Sequence, residues 1–513
     1  MIPFHNKILY LFTWIFLAVI SAVFSSTPAL SQEVKQIEIL NSDNMEYDET
    51  LGSNAIKYIG NVIFQQEEAI MYCDSAYFYP DSNYVNAYGS IHIIQGDTLH
   101  LYGDYLNYIG NIKLAEVREN VVLIDKENVL HTEFLDFNLE DNVGYYFNGG
   151  KIENGDNVLT SMIGYYYARQ KLFHYRDSVV IINPEYTIYS DMLKYNTLTE
   201  ISYFLGPTEI ISEENYIYCE NGWYDTRKNI SQFNKNAYLV SEGQFLKGDS
   251  LYYERDSGLG LAFDNVELFD SAQSMILKGR YAIYVEDPEY AMLTDSAVLI
   301  QFDEEDTLYV HADTLESILD TTGTSKILKA YYKVKMFRYD MQGKCDSLVY
   351  VEIDSVFQLY DEPILWSDEN QLTAEHIDIY MSDRKLDYID LITSSFIVSQ
   401  EDTIRYNQIK GRNMKGYFTN NKLSRIVVKG NGQTIYFPKD REDLIGINRA
   451  ESTDLIIYLK ESKIERINLI LQPDATLYPV DGLQGNEMYL KGFIWLNEYR
   501  PLTKEDIFVW KRE

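Results

Sequence analysis

Acidic side chains recur along this 513-residue chain at the spacing of a repeat, and carboxylates so arranged could move protons or hold divalent cations. Asp43, Asp74, Asp104, Glu133, Asp191, Glu220, Asp249, Asp313, Asp346 and Glu375 each follow a small residue. If each repeat contributes two strands, successive acids stand about 10 Å apart, whereas the ligands of one calcium ion lie about 2.3 to 2.6 Å from it. They are read as solvated bend residues, and the run Asp303 to Asp306 as a charged turn. His92, His100, His131, His174, His311 and His376 are scattered without zinc-ligand spacing or a Ser or Cys partner nearby. Phosphate loops, nucleophile elbows and EF-hand sequences are missing. Two carboxylates on adjacent rungs could imitate a glycosidase pair, but acids this abundant single out none. The sequence therefore assigns no catalytic residue, metal ligand or cofactor, and the chain is expected not to be an enzyme.

Charge and cysteine usage narrow the partners. The 78 acids against 44 Lys and Arg give a net charge of −34, with no basic stripe to neutralise phosphates, so nucleic acid is not expected. Cys73, Cys219 and Cys345 all occupy the small-residue position, and the closest two are four repeats apart. That separation is roughly 40 Å, far beyond the reach of a disulfide.

The elements that carry these residues follow from the repeat itself. The small residues are Ser42, Cys73, Gly103, Thr132, Ser161, Ser190, Cys219, Gly248, Gly279, Ala312, Cys345, Ala374 and Gly411, spaced by 29 from Thr132 to Gly248. Such self-similarity marks a stacked array in which each unit buries its face on its neighbours. An apolar residue stands two positions before the small one, as at Leu101, and another three positions after it, as at Leu106. An unbroken strand would put these on opposite faces, so a bulge or sharp corner is expected at the small-acid pair. A second strand per unit has a turn-prone centre, as at Gly60-Asn61, Gly89-Ser90, Asp177-Ser178 and Asp264-Asn265. The expected fold is all-β: an elongated antiparallel folded β-jellyroll, a β-taco, of about thirteen two-strand units whose creased strands form two facing half-sheets. Forty-five Tyr and eleven Pro suit strands, and 46% hydrophobic residues suffice for a core.

Three stretches divide the chain: residues 1–31, the repeats over 32–430, and a degenerate repeat with a C-terminal cap over 431–513. The N-terminal stretch carries Lys7, the apolar run Ile8 to Phe24, and a small-x-small site at Ala29-Leu30-Ser31. It reads as a cleaved secretory signal peptide, with a retained anchor as the alternative.

The inward positions define a candidate apolar lining: Met71, Ala76, Phe78, Leu101, Leu106, Tyr108, Leu130, Leu135, Ile188, Leu193, Leu246 and Leu251. Such rows could hold acyl chains, or they could close a dry core as in any β-solenoid.

Segments such as Met71-Tyr72-Cys73-Asp74-Ser75-Ala76-Tyr77-Phe78, Gly60-Asn61-Val62 and Ala450-Glu451-Ser452-Thr453-Asp454-Leu455 resemble the organic-solvent-tolerance, OstA/LptA-like family of lipopolysaccharide-transport periplasmic proteins. The resemblance spans nearly the whole chain after the signal. It implies a periplasmic protein, associated with the outer membrane or free, whose interior shields lipid A acyl chains between the inner and outer membranes. It further implies lipopolysaccharide as ligand, and docking of inner- and outer-membrane transport components, or of another copy, through edge strands. The chain departs from the short bridging members by its length and from the outer-membrane member by lacking an obvious C-terminal barrel. A structural or adhesive β-solenoid that binds protein or glycan on its outer face is the competing reading.

Overall fold

A computed structural model describes residues 35–510, apart from 48–53, 242, 303–305, 383–384, 442 and 461–462. The signal-peptide features and most of the acidic run Asp303 to Asp306 lie outside the described residues. The chain divides into two units, Met1–Ile152 and Glu153–Glu513. Each is built almost entirely of antiparallel strands in repeated pairs, with short 3-10 turns near residue 81 and after residue 484.

In the first unit each strand pairs with the next: Ile56–Gln66 with Ala69–Tyr79, then Tyr84–Gln95, Leu99–Ile109, Leu114–Asp125 and Asn128–Asn138. Period-two alternation puts one side of each strand inward, and the sheet folds back on itself because every ladder slips at mid-strand. Between the pairs Ile59↔Ser75 and Val62↔Cys73, Gly60 and Asn61 together face Asp74. Both residues are left-handed, with φ of 79° and 46°. The same two-against-one bulge recurs at Gly89-Ser90 and Glu119-Asn120, and in the second unit at Asp177-Ser178, Lys235-Asn236, Asp264-Asn265 and Asp295-Ser296. The extra residue thus sits on the strand opposite the small-acid pair, not within it.

This geometry explains both members of that pair. The acid clasps the bulge: Asn61 Nδ2 donates to Asp43 Oδ2 at 2.8 Å, Ser90 Oγ to Asp74 Oδ2 at 3.0 Å, Asn120 Nδ2 to Asp104 Oδ2 at 2.6 Å and Asn265 Nδ2 to Asp249 Oδ2 at 2.9 Å. The carboxylate thereby satisfies a donor on residues held in an otherwise disfavoured conformation. The small residue points into the inside of the crease. A Cβ on Gly103 would stand 2.4 Å from Val117 Cγ1, and one on Gly411 2.2 Å from Val428 Cγ1. Cys73, Cys219 and Cys345 fill this position as buried free thiols, and loss of hydration pushes Cys73 and Cys219 up to about 12. Gly103→Leu is expected to destabilise the first unit by about 2 to 3 kcal/mol, read as a lower denaturant midpoint. Unchanged stability would show that the crease has room to spare.

The second unit continues the pattern. Tyr186–Asn196 pairs with two short strands, Ile201–Phe204 and Thr208–Ser212, on either side of a bend at Gly206-Pro207, where proline interrupts the ladder. From Leu359 onward the facing half-sheets close on Leu365, Leu372, Ile377, Ile379, Ile389, Leu391, Ile426 and Leu455, all of them buried. Past Leu483 the chain turns back over the outer face of one half-sheet. Leu490 N donates to Gln408 Oε1 at 2.8 Å, Leu496 N to Gln371 Oε1 at 2.7 Å, Arg500 Nε to Gln342 Oε1 at 2.7 Å and Lys335 Nζ to Val509 O at 2.7 Å. Leu483 and Leu490 also pack on Phe396, Val398, Ile435 and Phe437. One outward glutamine on each of several rungs therefore fixes a strap that runs back across the strands.

Candidate functional site

The interior differs between units in how its two lips meet. In the first unit they are fastened: Gln66 Nε2 donates to Gly110 O at 3.0 Å, Tyr108 OH donates to Gln66 Oε1, and Gln95 Nε2 donates to Leu139 O at 2.6 Å. Lys113 pairs with Glu67 at 3.0 Å across the same seam. Beneath it Tyr58, Phe64, Phe78 and Phe137 fill the space, with edge and tilted ring contacts. Desolvation raises the Tyr108 hydroxyl well above the usual tyrosine range. This core is packed and dry.

In the second unit the seam opens. A cavity of about 1660 Å³ is lined by residues from Pro184 to Met381. One wall carries Ile188, Leu246, Leu268, Leu277, Leu299 and Leu308; the other carries Leu251, Ala262, Ala282, Leu293, Leu315 and Leu328. The walls are the two halves of the same strands. Leu268 pairs with Leu277 on one side of the Asp264-Asn265 bulge and Ala262 with Ala282 on the other. Leu246, Leu268, Leu277 and Leu299 face inward yet are only half-buried, because they line the open cavity. The aromatic position shows the contrast most clearly. Tyr108 is 1% exposed in the closed unit, whereas Tyr253 and Tyr284 are 39% and 45% exposed at the open mouth.

Acidic residues flank the opening. Glu213, Glu214, Asp270 and Asp306 lie on the turns of one lip, and Glu286, Glu289 and Glu352 on those of the other. Like charges on facing lips repel, whereas glutamine and tyrosine in the first unit can bond across the seam. Ion pairs at the mouth instead run along one lip, as in Lys326 with Glu289 at 2.8 Å.

Of the twelve candidate lining residues, Ile188, Leu246 and Leu251 line this cavity, and Leu193 is fully buried in the same unit. Met71, Ala76, Phe78, Leu101, Leu106, Tyr108, Leu130 and Leu135 form the packed core of the first unit. Sequence reasoning missed Leu268, Leu277 and Leu299. They occupy the same inward register as the residues of the closed rungs. Arranged this way, the site is an apolar trough with a charged, water-facing mouth, suited to holding the hydrocarbon part of an amphiphile.

No curated protein matches the chain. One solved structure is LptH, the LptA homologous periplasmic component of the conserved lipopolysaccharide transport device from Pseudomonas aeruginosa. It is 15% identical, and the match covers 22% of this chain and 77% of LptH at a TM-score of 0.16. Residues 34–191 and 187–249 match the family model described as OstA-like protein, and over that span the chain is similar to OstA-like proteins.

Proposed function

We propose that this protein is exported to the periplasm and there binds lipopolysaccharide through the acyl chains of lipid A, carrying it between the inner and outer membranes for outer-membrane assembly. The observation that carries this reading is the apolar trough of about 1660 Å³ in the second unit, lined on both walls by leucine and alanine side chains. Each methylene moved from water into such a site gains about 0.8 kcal/mol, so a dozen supply about 10 kcal/mol, enough to hold a lipid against the aqueous phase. The similarity to OstA-like proteins over residues 34–249 and the family resemblance of the rung sequences support the choice of lipid.

In this reading exposed edge strands, Glu38–Asn41 and Asn44–Tyr47 in the first unit and Lys463–Ile470 and Asp474–Tyr478 in the second, take up transport components of similar fold or another copy. The packed core of the first unit favours a structural role for that part.

Mass spectrometry of the exported protein after gentle extraction tests the function. Lipid A species should accompany the full-length chain. Protein recovered folded and lipid-free from cells rich in lipopolysaccharide would favour the scaffold reading.

A further inference from the structure

Resting on the lipid-carrier reading, we infer that among acyl-chain amphiphiles, lipid A species included, the trough favours those whose head group carries amines that offset its phosphates and disfavours those that present bare anionic charge. The walls are indifferent to head-group chemistry; the mouth is not. Among the charged residues lining the cavity nine are Asp or Glu and four are Lys or Arg. Glu316 and Lys329 neutralise each other at 3.4 Å, leaving eight carboxylates against Arg255, Lys326 and Arg338. Lys326 pairs with Glu289, itself one of the eight, at 2.8 Å, and Arg338 with Asp340 outside the lining at 2.6 Å, which leaves seven lining carboxylates against Arg255.

A head group held at this mouth would lie among Glu185, Glu213, Glu214, Asp270 and Glu286. Glu185, Glu213, Glu214 and Glu286 are exposed, and fields from charges at such positions reach over a Debye length of about 8 to 10 Å. Ammonium groups complement this field, and each unshielded phosphate opposes it.

The test compares dioleoyl lipids with identical tails and three head groups: trimethylammonium, phosphocholine and phosphoglycerol. Lipid retained by the full-length protein after separation from vesicles is counted by native mass spectrometry, so that adsorption of an acidic protein to a cationic surface does not score. At low salt the trimethylammonium and phosphocholine lipids should be retained at least about fivefold over phosphoglycerol, with the preference shrinking near 1 M salt. A variant with Glu213→Lys, Glu214→Lys and Glu286→Lys should reverse the order. Asp97→Lys, Glu127→Lys and Asp141→Lys, on exposed turns of the first unit, change the net charge equally and should leave it unaltered. Equal retention of all three lipids, or an equal shift in both triple variants, would overturn the inference. So would phosphoglycerol retention that appears with magnesium and vanishes with a chelator, because a metal bridge would then set the preference. Retention of none of the three would remove the lipid-carrier reading itself.

Discussion

Leu106→Asp should unfold the first unit, whereas Leu268→Asp in the trough should leave the protein folded and empty it of lipid. Leu106 is 1% exposed and enclosed by a fastened seam, so truncation alone would cost about 2 to 5 kcal/mol. A carboxyl group buried there without a partner adds several kcal/mol even when it protonates, so the sum reaches the usual margin of a domain, about 5 to 15 kcal/mol in all. Leu268 is half-buried on the wall of an open cavity, where a charge keeps contact with water, and its replacement should cost under about 2 kcal/mol. Melting followed by circular dichroism separates the two, with copurified lipid as the second readout. Equal destabilisation by both substitutions would mean that the second unit is as dry as the first.

Removal of residues 483–513 should have the next largest effect. The strap bonds to Gln408, Gln371 and Gln342 in turn, and Trp366, paired with Gln342 on one side and Gln371 on the other, lies beneath its path and is fully buried. Deletion turns Trp366, Phe396, Val398 and Ile435 toward water. At about 1.5 to 3 kcal/mol for each large side chain, the loss is on the order of 5 to 10 kcal/mol. The truncated protein is expected to aggregate or to melt far lower, and Arg500→Ala to do so more mildly. A truncated chain that melts with the intact one would show that the strap adds no stability.

Much of this architecture was legible because β structure writes its periods plainly. Alternation gave the strands, and residues tolerant of left-handed backbone, such as Gly60-Asn61 and Asp264-Asn265, marked the bends. Sequence could not say which strand of a pair carries the extra residue, since a phase slip of one looks the same from either side. Once the bulge is placed opposite, the recurring acids become clasps for it. The open trough was not legible from its lining: Leu101 in the packed core and Leu277 in the trough occupy the same register, and their fates differ through distant lips. Gln66 and Gln95 bond across one seam, whereas Glu213, Asp270 and Glu286 flank the open mouth of the other. A C-terminal cap was expected within 431–513, but its anchoring was not legible, because an outward glutamine on a strand resembles any solvated residue until its partner more than eighty positions away is known.

The most direct measurement places a photo-crosslinking residue at Leu268 or Leu277, on the trough wall, and separately at Glu267 or Lys278, the adjacent outward pair that bridges at 3.0 Å. A further probe at Leu106 samples the closed core. Irradiation in cells should label lipopolysaccharide from Leu268 and Leu277 and leave the other three positions unlabelled. Equal labelling from both faces, or none from Leu268 and Leu277 in a folded protein, would contradict the assignment of this trough to lipid.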